Sequence, residues 1–171
     1  PMTSRSVPSR NWAQEAAESV QFEPEFISGL REIFETRVAF NQTIGLKIGE
    51  ITPTLVQGHI AMRPDLIGHS AYQRIHGGVI SAGLDSMGGL AVMAAIAAKH
   101  MDDTPAQRLH RFSRLGTIDL RVDYMRPGIG KEFLLTARVL RLGSRVANTQ
   151  MEFLSVDGEL LSTGTAAYIV S

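Results

Sequence analysis

The sequence predicts an α+β domain in which one long apolar helix is wrapped by an antiparallel sheet, and three observations carry that prediction. The first is residues 79–98, an Ala- and Gly-rich apolar run whose only ionisable side chain is Asp85. The second is a change of period further on, where Ile118, Leu120, Val122 and Tyr124 alternate with Asp119, Arg121 and Asp123, the pattern of a half-buried strand. The third is the pair Asp157-Gly158 between two strand-like stretches, 145–156 and 159–170, which supplies a tight hairpin turn. One buried helix followed by consecutive strands places both in a single α+β core.

The remaining elements follow in order. Residues 1–10 carry no apolar run, so they read as a tail without an export signal, and a cytoplasmic location is expected on that ground. Pro24 suits a first helical position, and Phe26, Ile27, Leu30, Ile33, Phe34 and Val38 recur at helical spacing, giving an amphipathic helix whose apolar face covers the domain body. Residues 1–40 are therefore read as a tail and helical extension, and 41–171 as one domain. A strand is expected over 55–62, ended by Arg63-Pro64, and a loop over 65–75 leads into the long helix. Another strand is expected over 132–142, after the turn at Arg126-Pro127-Gly128.

Composition narrows the function. A chain of 171 residues, 44% hydrophobic and 20% charged, builds one core rather than two. Lys+Arg 17 against Asp+Glu 17 gives a formal charge of +0, so no global field favours nucleic acid or an anionic membrane. Cysteine is absent, which removes disulfides, a thiolate nucleophile and cysteine metal ligands. The five histidines form no HxH or HExxH arrangement, and no metal is expected. Neither a GxSxG elbow nor a GxxxxGK[ST] loop is present. The 79–98 run approaches the length of a membrane span, but Asp85 interrupts it and its small residues make it only mildly apolar, so a core helix is expected rather than a span.

Asp85 is the residue of greatest interest. A charge in a buried segment is costly unless something local compensates, and a perturbed buried acid is a functional-site candidate beside the structural alternative of a hydrogen-bonded Asp. Gly83, Gly88 and Gly89 lie in the same helix, where each costs roughly 1 kcal/mol relative to alanine; close approach of a sheet offsets that cost. His76-Gly77-Gly78 opens the helix, where backbone N–H groups lack intrahelical partners and the dipole is positive. The Gly77 N–H there suits a developing oxyanion. From Gly77 to Asp85 is roughly 12 Å of helical rise and about 80° of rotation, so one carbonyl can hardly meet both within one chain. A site shared between two-fold-related subunits resolves this. Arg108, Arg111 and Arg114, with His110, form a basic stretch that reads as a solvated helix face, with a grip on carrier phosphates as the functional alternative.

Taken together, HGGVISAGLD, the strand GTIDLRVDYMRPG and the later LRLGSRVANTQ resemble the hotdog-fold acyl-CoA thioesterases of the phenylacetate-pathway (PaaI-like) branch, and within it the bacterial YigI-like group. The resemblance covers most of the chain after the tail. It implies a hotdog fold, a homodimer or a tetramer built of two such dimers, and active sites at the dimer interface. It implies an acyl-CoA substrate, with coenzyme A as part of the substrate and no cofactor. By that likeness Asp85 is the nucleophile or general base, Gly77 N–H polarises the thioester carbonyl, His76 fixes the loop, and Gly78 is a substrate-binding position. Thr117 stands where the family places a hydroxyl that helps hold the attacking water. Six residues before the histidine the family has Asn or Gln, whereas this chain has Ser70, with Gln73 nearby as a substitute. Arg111, Arg114 and Arg126 are the arginines expected near the coenzyme A phosphates. The principal alternative is a non-catalytic acyl-CoA-binding sensor on the same fold; a hydratase of the same superfamily would pair a catalytic His with an acid in a motif this chain lacks.

Overall fold

The computed structural model describes residues 19–171, so the tail read at 1–10 lies outside the described residues. The chain enters through α1 (Pro24–Glu32), with Pro24 in the first turn, where its missing N–H costs nothing. A π turn, Ile33–Arg37, and the short helix α2 (Ala39–Ile44) continue it. Phe26, Leu30, Ile33, Phe34 and Ile44 from these turns are buried in the same cluster as the rest of the core. Asn41 fixes the join: its buried Nδ2 donates to Phe34 O at 2.8 Å, and its Oδ1 accepts from Ser86 Oγ at 2.7 Å.

The entrance to α1 corrects one expectation. Arg108 is 1% exposed, not part of a solvated face. Its guanidinium bonds Glu23 Oε1 at 2.6 Å and Asp103 O at 3.2 Å and lies 4.8 Å from the Phe26 ring centroid, a buried cation kept by its partners. The Arg108 hydrogen bond, reinforced by a backbone amide, lowers the Glu23 carboxyl below its ordinary 4.5. A depressed carboxyl stabilises the fold above its unfolded value and loses that contribution as pH falls through the folded one. Native and Glu23→Gln proteins are expected to melt at different temperatures at neutral pH and to converge progressively below about pH 4; thermal melts across that range check this.

A hairpin of β1 (Leu46–Ile51) and β2 (Val56–Ala61) leads to a smaller one, β3 (Ile67–His69) and β4 (Arg74–Ile75). The long helix α3 (Gly77–Ala98) and the short α4 (Pro105–His110) follow, then β5 (Gly116–Tyr124), β6 (Glu132–Leu142), β7 (Val146–Ser155) and β8 (Leu160–Ile169). Among the described residues the main sheet has six strands in the order β1-β2-β6-β7-β8-β5, antiparallel at every pairing. Gly158, at φ +84°, turns β7 into β8, as the Asp-Gly pair predicts.

Helix α3 packs across β2, β6, β7, β8 and β5. Leu84, Met87, Leu90, Val92 and Met93 are each no more than 1% exposed, consistent with a helix apolar on most sides. Among the described residues it is the one helix long and apolar enough to cross a membrane, yet most of its apolar window is buried inside the fold. Gly88 shows why the run carries glycines: a Cβ there would overlap the Tyr168 hydroxyl on β8.

Four strands depart from expectation: β3 and β4 form a small hairpin within the stretch read as a loop over 65–75, and β1 and β5 differ as well. β1 was not expected, because Leu46-Lys47-Ile48 alternates for only three residues before Gly49, and a bulge between Ile48 and Ile51 breaks the period. Of the alternating apolar residues of β5, Leu120 and Val122 are half-buried, whereas Ile118 and Tyr124 are 56% and 54% exposed. A bulge between Thr117 and Asp119 shifts the register, and among the described residues β5 is the sheet edge, hydrogen-bonded only to β8.

Candidate active site

Two backbone bonds fix where α3 begins. His76 N–H donates to Leu66 O at 2.8 Å and Ile75 N–H to Gly128 O at 2.9 Å, so the small hairpin and the turn after β5 hold the helix entrance between them. His76 is the N-cap, extended at φ −65° and ψ 134°, and its Nδ1 accepts the Gly78 N–H at 2.8 Å. A neutral imidazole in this bond carries its proton on Nε2.

Gly77 is the first helical residue, and its N–H has neither an intrahelical partner nor another among the described residues. Its carbonyl accepts the Tyr124 hydroxyl at 2.8 Å. Gly77 lines a cleft of about 520 Å³ with His69, Arg74, Tyr124, Met125 and Arg126. The sequence did not mark Tyr124 as more than a strand residue, although its place at the end of the alternating run puts it within reach of the helix entrance.

Asp85 stands eight residues further along α3 and is half-buried. Thr117 Oγ1 donates to its Oδ1 at 2.9 Å, so the structure brings these two expected residues together. Tyr168, 1% exposed, was missed because Ala166 and Tyr168 alternate inward like any core pair. Its hydroxyl donates to Asp85 O at 2.7 Å and lies 3.2 Å from Asp85 Oδ1. Burial, and then the adjacent Asp85 carboxylate, push the Tyr168 phenol far above its ordinary value, so it is a neutral donor.

The two halves do not meet within one protomer, and Asp85 does not line the Gly77 cleft. Tyr124, against Gly77, and Thr117, against Asp85, sit at opposite ends of β5, roughly 20 Å apart along the strand. Ser70 is exposed, and its carbonyl accepts Gln73 Nε2 at 2.7 Å. Gln73, in the left-handed region at φ 52°, lines a separate cleft of about 550 Å³ with Met62, Arg63 and Ile129. Arg126 borders the Gly77 cleft but is engaged by Glu159 Oε1 at 3.3 Å and Leu160 O at 3.2 Å. Arg111 pairs with Asp103 at 2.9 Å, whereas the exposed Arg114 precedes β5 close in sequence to Thr117. Among the described residues no group of three His, Asp or Glu side chains is placed to hold a metal ion.

A long helix wrapped by an antiparallel sheet, with an acid midway along it and a glycine amide at its start that has no partner among the described residues, defines a hotdog-fold protein equipped for acyl chemistry. The family described as the thioesterase superfamily matches residues 72–162. The medium/long-chain acyl-CoA thioesterase YigI of Salmonella typhimurium is 35% identical over 139 residues, covering 81% of this chain and 90% of that protein. Its counterpart in Escherichia coli K12 is 34% identical with the same coverage. A crystal structure of a thioesterase-superfamily-related protein from Shewanella oneidensis superposes with a TM-score of 0.80 at 38% identity, covering 88% of this chain and 100% of that one. The chain belongs to the thioesterase superfamily.

Proposed function

We propose that the protein is an acyl-CoA thioesterase of the PaaI-like branch that hydrolyses medium- to long-chain acyl-CoA to the free acid and coenzyme A. The observation that carries this reading is the Asp85 carboxylate, held at Oδ1 by the Thr117 hydroxyl, in a chain whose Gly77 N–H, at a helix start, has no partner among the described residues. A carboxylate so placed either removes a proton from water or attacks the thioester carbonyl directly, giving a mixed anhydride that water then hydrolyses. In both routes the carbonyl oxygen gains negative charge, and the Gly77 amide with the helix dipole stabilises it. The carbon–sulfur bond breaks, and coenzyme A leaves as its thiolate, which takes up the proton given up by the attacking water.

The working unit in this reading is a homodimer, alone or paired into a tetramer. The β5 edge exposes unpaired backbone groups and the apolar side chains Ile118, Tyr124 and Met125, a template for pairing with another strand. Antiparallel pairing of two β5 edges about a two-fold axis near Leu120 and Arg121 sets Thr117 of one copy opposite Tyr124 of the other. Asp85 of one subunit then shares a site with Gly77 of its partner. His76 keeps the helix entrance in shape and Gly78 supplies the capped amide; Ser70 and Gln73 flank the entrance. Arg126, beside Gly77, and Arg114, near Thr117, are the cations for the coenzyme A phosphates, with Arg111 behind them. An acyl-CoA substrate fits a cytoplasmic location.

Free-thiol release from short-, medium- and long-chain acyl-CoAs and an aryl-CoA tests the activity. Turnover greatest with the medium and long chains is expected. Binding of acyl-CoA without thiol release anywhere in the panel would overturn the reading in favour of a sensor.

A further inference from the structure

We propose that Tyr168 is a positioning residue for the hydrolysis, holding Asp85 so that Oδ1 is anchored and Oδ2 is the oxygen that acts on water or the thioester. This rests on the catalytic role proposed for Asp85. The two carboxylate oxygens are not equivalent. Oδ1 has the Thr117 hydroxyl at 2.9 Å and the Tyr168 hydroxyl at 3.2 Å, whereas Oδ2 has no hydrogen-bond partner among the described residues. The single Tyr168 proton is shared between the backbone carbonyl of Asp85 at 2.7 Å and Oδ1 at 3.2 Å, a bifurcated bond by which one phenol grips both the main chain and the side chain of the same residue.

That carbonyl belongs to the middle of α3, where it already has the helix ladder. The Tyr168 bond is therefore an additional one, which fixes the height and rotation of the helix at the acid. The contact needs a helix without side chains at the crossing. Gly88 meets the tyrosine hydroxyl where a Cβ would overlap it, and Gly89 lies beside the same ring. The phenol is buried and stays protonated, raised by burial and by the carboxylate it faces, so it serves as a fixed donor rather than as an acid in the reaction. Two hydroxyls from neighbouring strands, Thr117 on β5 and Tyr168 on β8, thus hold one carboxylate oxygen from two directions. Such a hold limits Asp85 to rotamers that present Oδ2, and small misplacements of a reacting group are costly in rate.

The test is thiol release from the best acyl-CoA of the panel by native protein, Tyr168→Phe, Thr117→Ala, the double variant and Asp85→Asn, each checked for fold by circular dichroism. Tyr168→Phe keeps the ring and is expected to lower kcat about 10- to 100-fold with KM within about twofold. The double variant is expected to lose less than the product of the two single losses, because both hydroxyls hold the same oxygen. A folded Tyr168→Phe protein with native kcat would overturn the proposal, since a tyrosine that only fills space is replaced by phenylalanine without loss of rate. A second measurement needs no tyrosine variant: with ¹³Cζ-labelled tyrosine, the Tyr168 resonance is expected to move in Asp85→Asn, and an unmoved resonance would overturn the proposal as well. Full turnover in folded Asp85→Asn would instead remove the catalytic reading of Asp85 itself, so the two failures are distinguishable.

Discussion

Asp85→Asn is expected to lower kcat for thioester hydrolysis on the order of 10³-fold while leaving the fold in place. Asparagine matches aspartate in shape, and its Oδ1 still accepts from Thr117 and Tyr168, the two hydroxyls on that oxygen in the native protein. What it loses is the lone pair and charge that take a proton or form a bond to carbon. Asp85 is half-buried rather than enclosed, so a neutral amide there meets no packing conflict. Thiol release and thermal melts on the same preparation separate the outcomes. A folded variant with native turnover removes the carboxylate from the chemistry, and a variant that fails to fold assigns Asp85 to structure.

Gly77→Pro is expected to cost on the order of 10²- to 10³-fold in kcat, the range for losing one oxyanion donor. Proline removes the Gly77 N–H yet suits this position. Gly77 is the first residue of α3, where proline is pre-organised for the helix, and His76 before it is already extended at φ −65° and ψ 134°, as a residue preceding proline must be. The added Cβ would stand 3.2 Å from the Tyr124 ring, a close contact that a small ring shift relieves. The Gly77 carbonyl still accepts from Tyr124. A folded Gly77→Pro protein with native kcat would place the oxyanion elsewhere.

Much of the candidate site was legible in the chain because its signals are local. His76-Gly77-Gly78 marks a helix start through backbone needs alone, and Asp85 stands out as the only ionisable group in an apolar helix. Thr117 was placed by family likeness, and the structure sets its hydroxyl 2.9 Å from Asp85. Tyr168 was illegible because an inward-facing tyrosine in an alternating strand looks like any core aromatic; only the strand order that lays β8 under α3 reveals what its hydroxyl meets. Arg108 misled for a related reason. Its charge suggests solvent, and the burying partner, Glu23, lies 85 residues away in the chain. The exposure of Ile118 and Tyr124 follows from a bulge and from β5 being the edge, both properties of pairing rather than of one strand's pattern.

The central claim is that one site draws Gly77 from one subunit and Asp85 from the other, and subunit mixing tests it most directly. Asp85→Asn and Gly77→Pro proteins, each expected to keep no more than about 1% of native turnover alone, are unfolded together in equal amounts and refolded, and thiol release is measured against native protein treated the same way. A shared site predicts recovery to about one quarter of native activity, since half of the dimers are mixed and each mixed dimer holds one intact site of two. A mixture that refolds into dimers and stays inactive would contradict the shared site, because sites contained within single subunits are damaged in every copy.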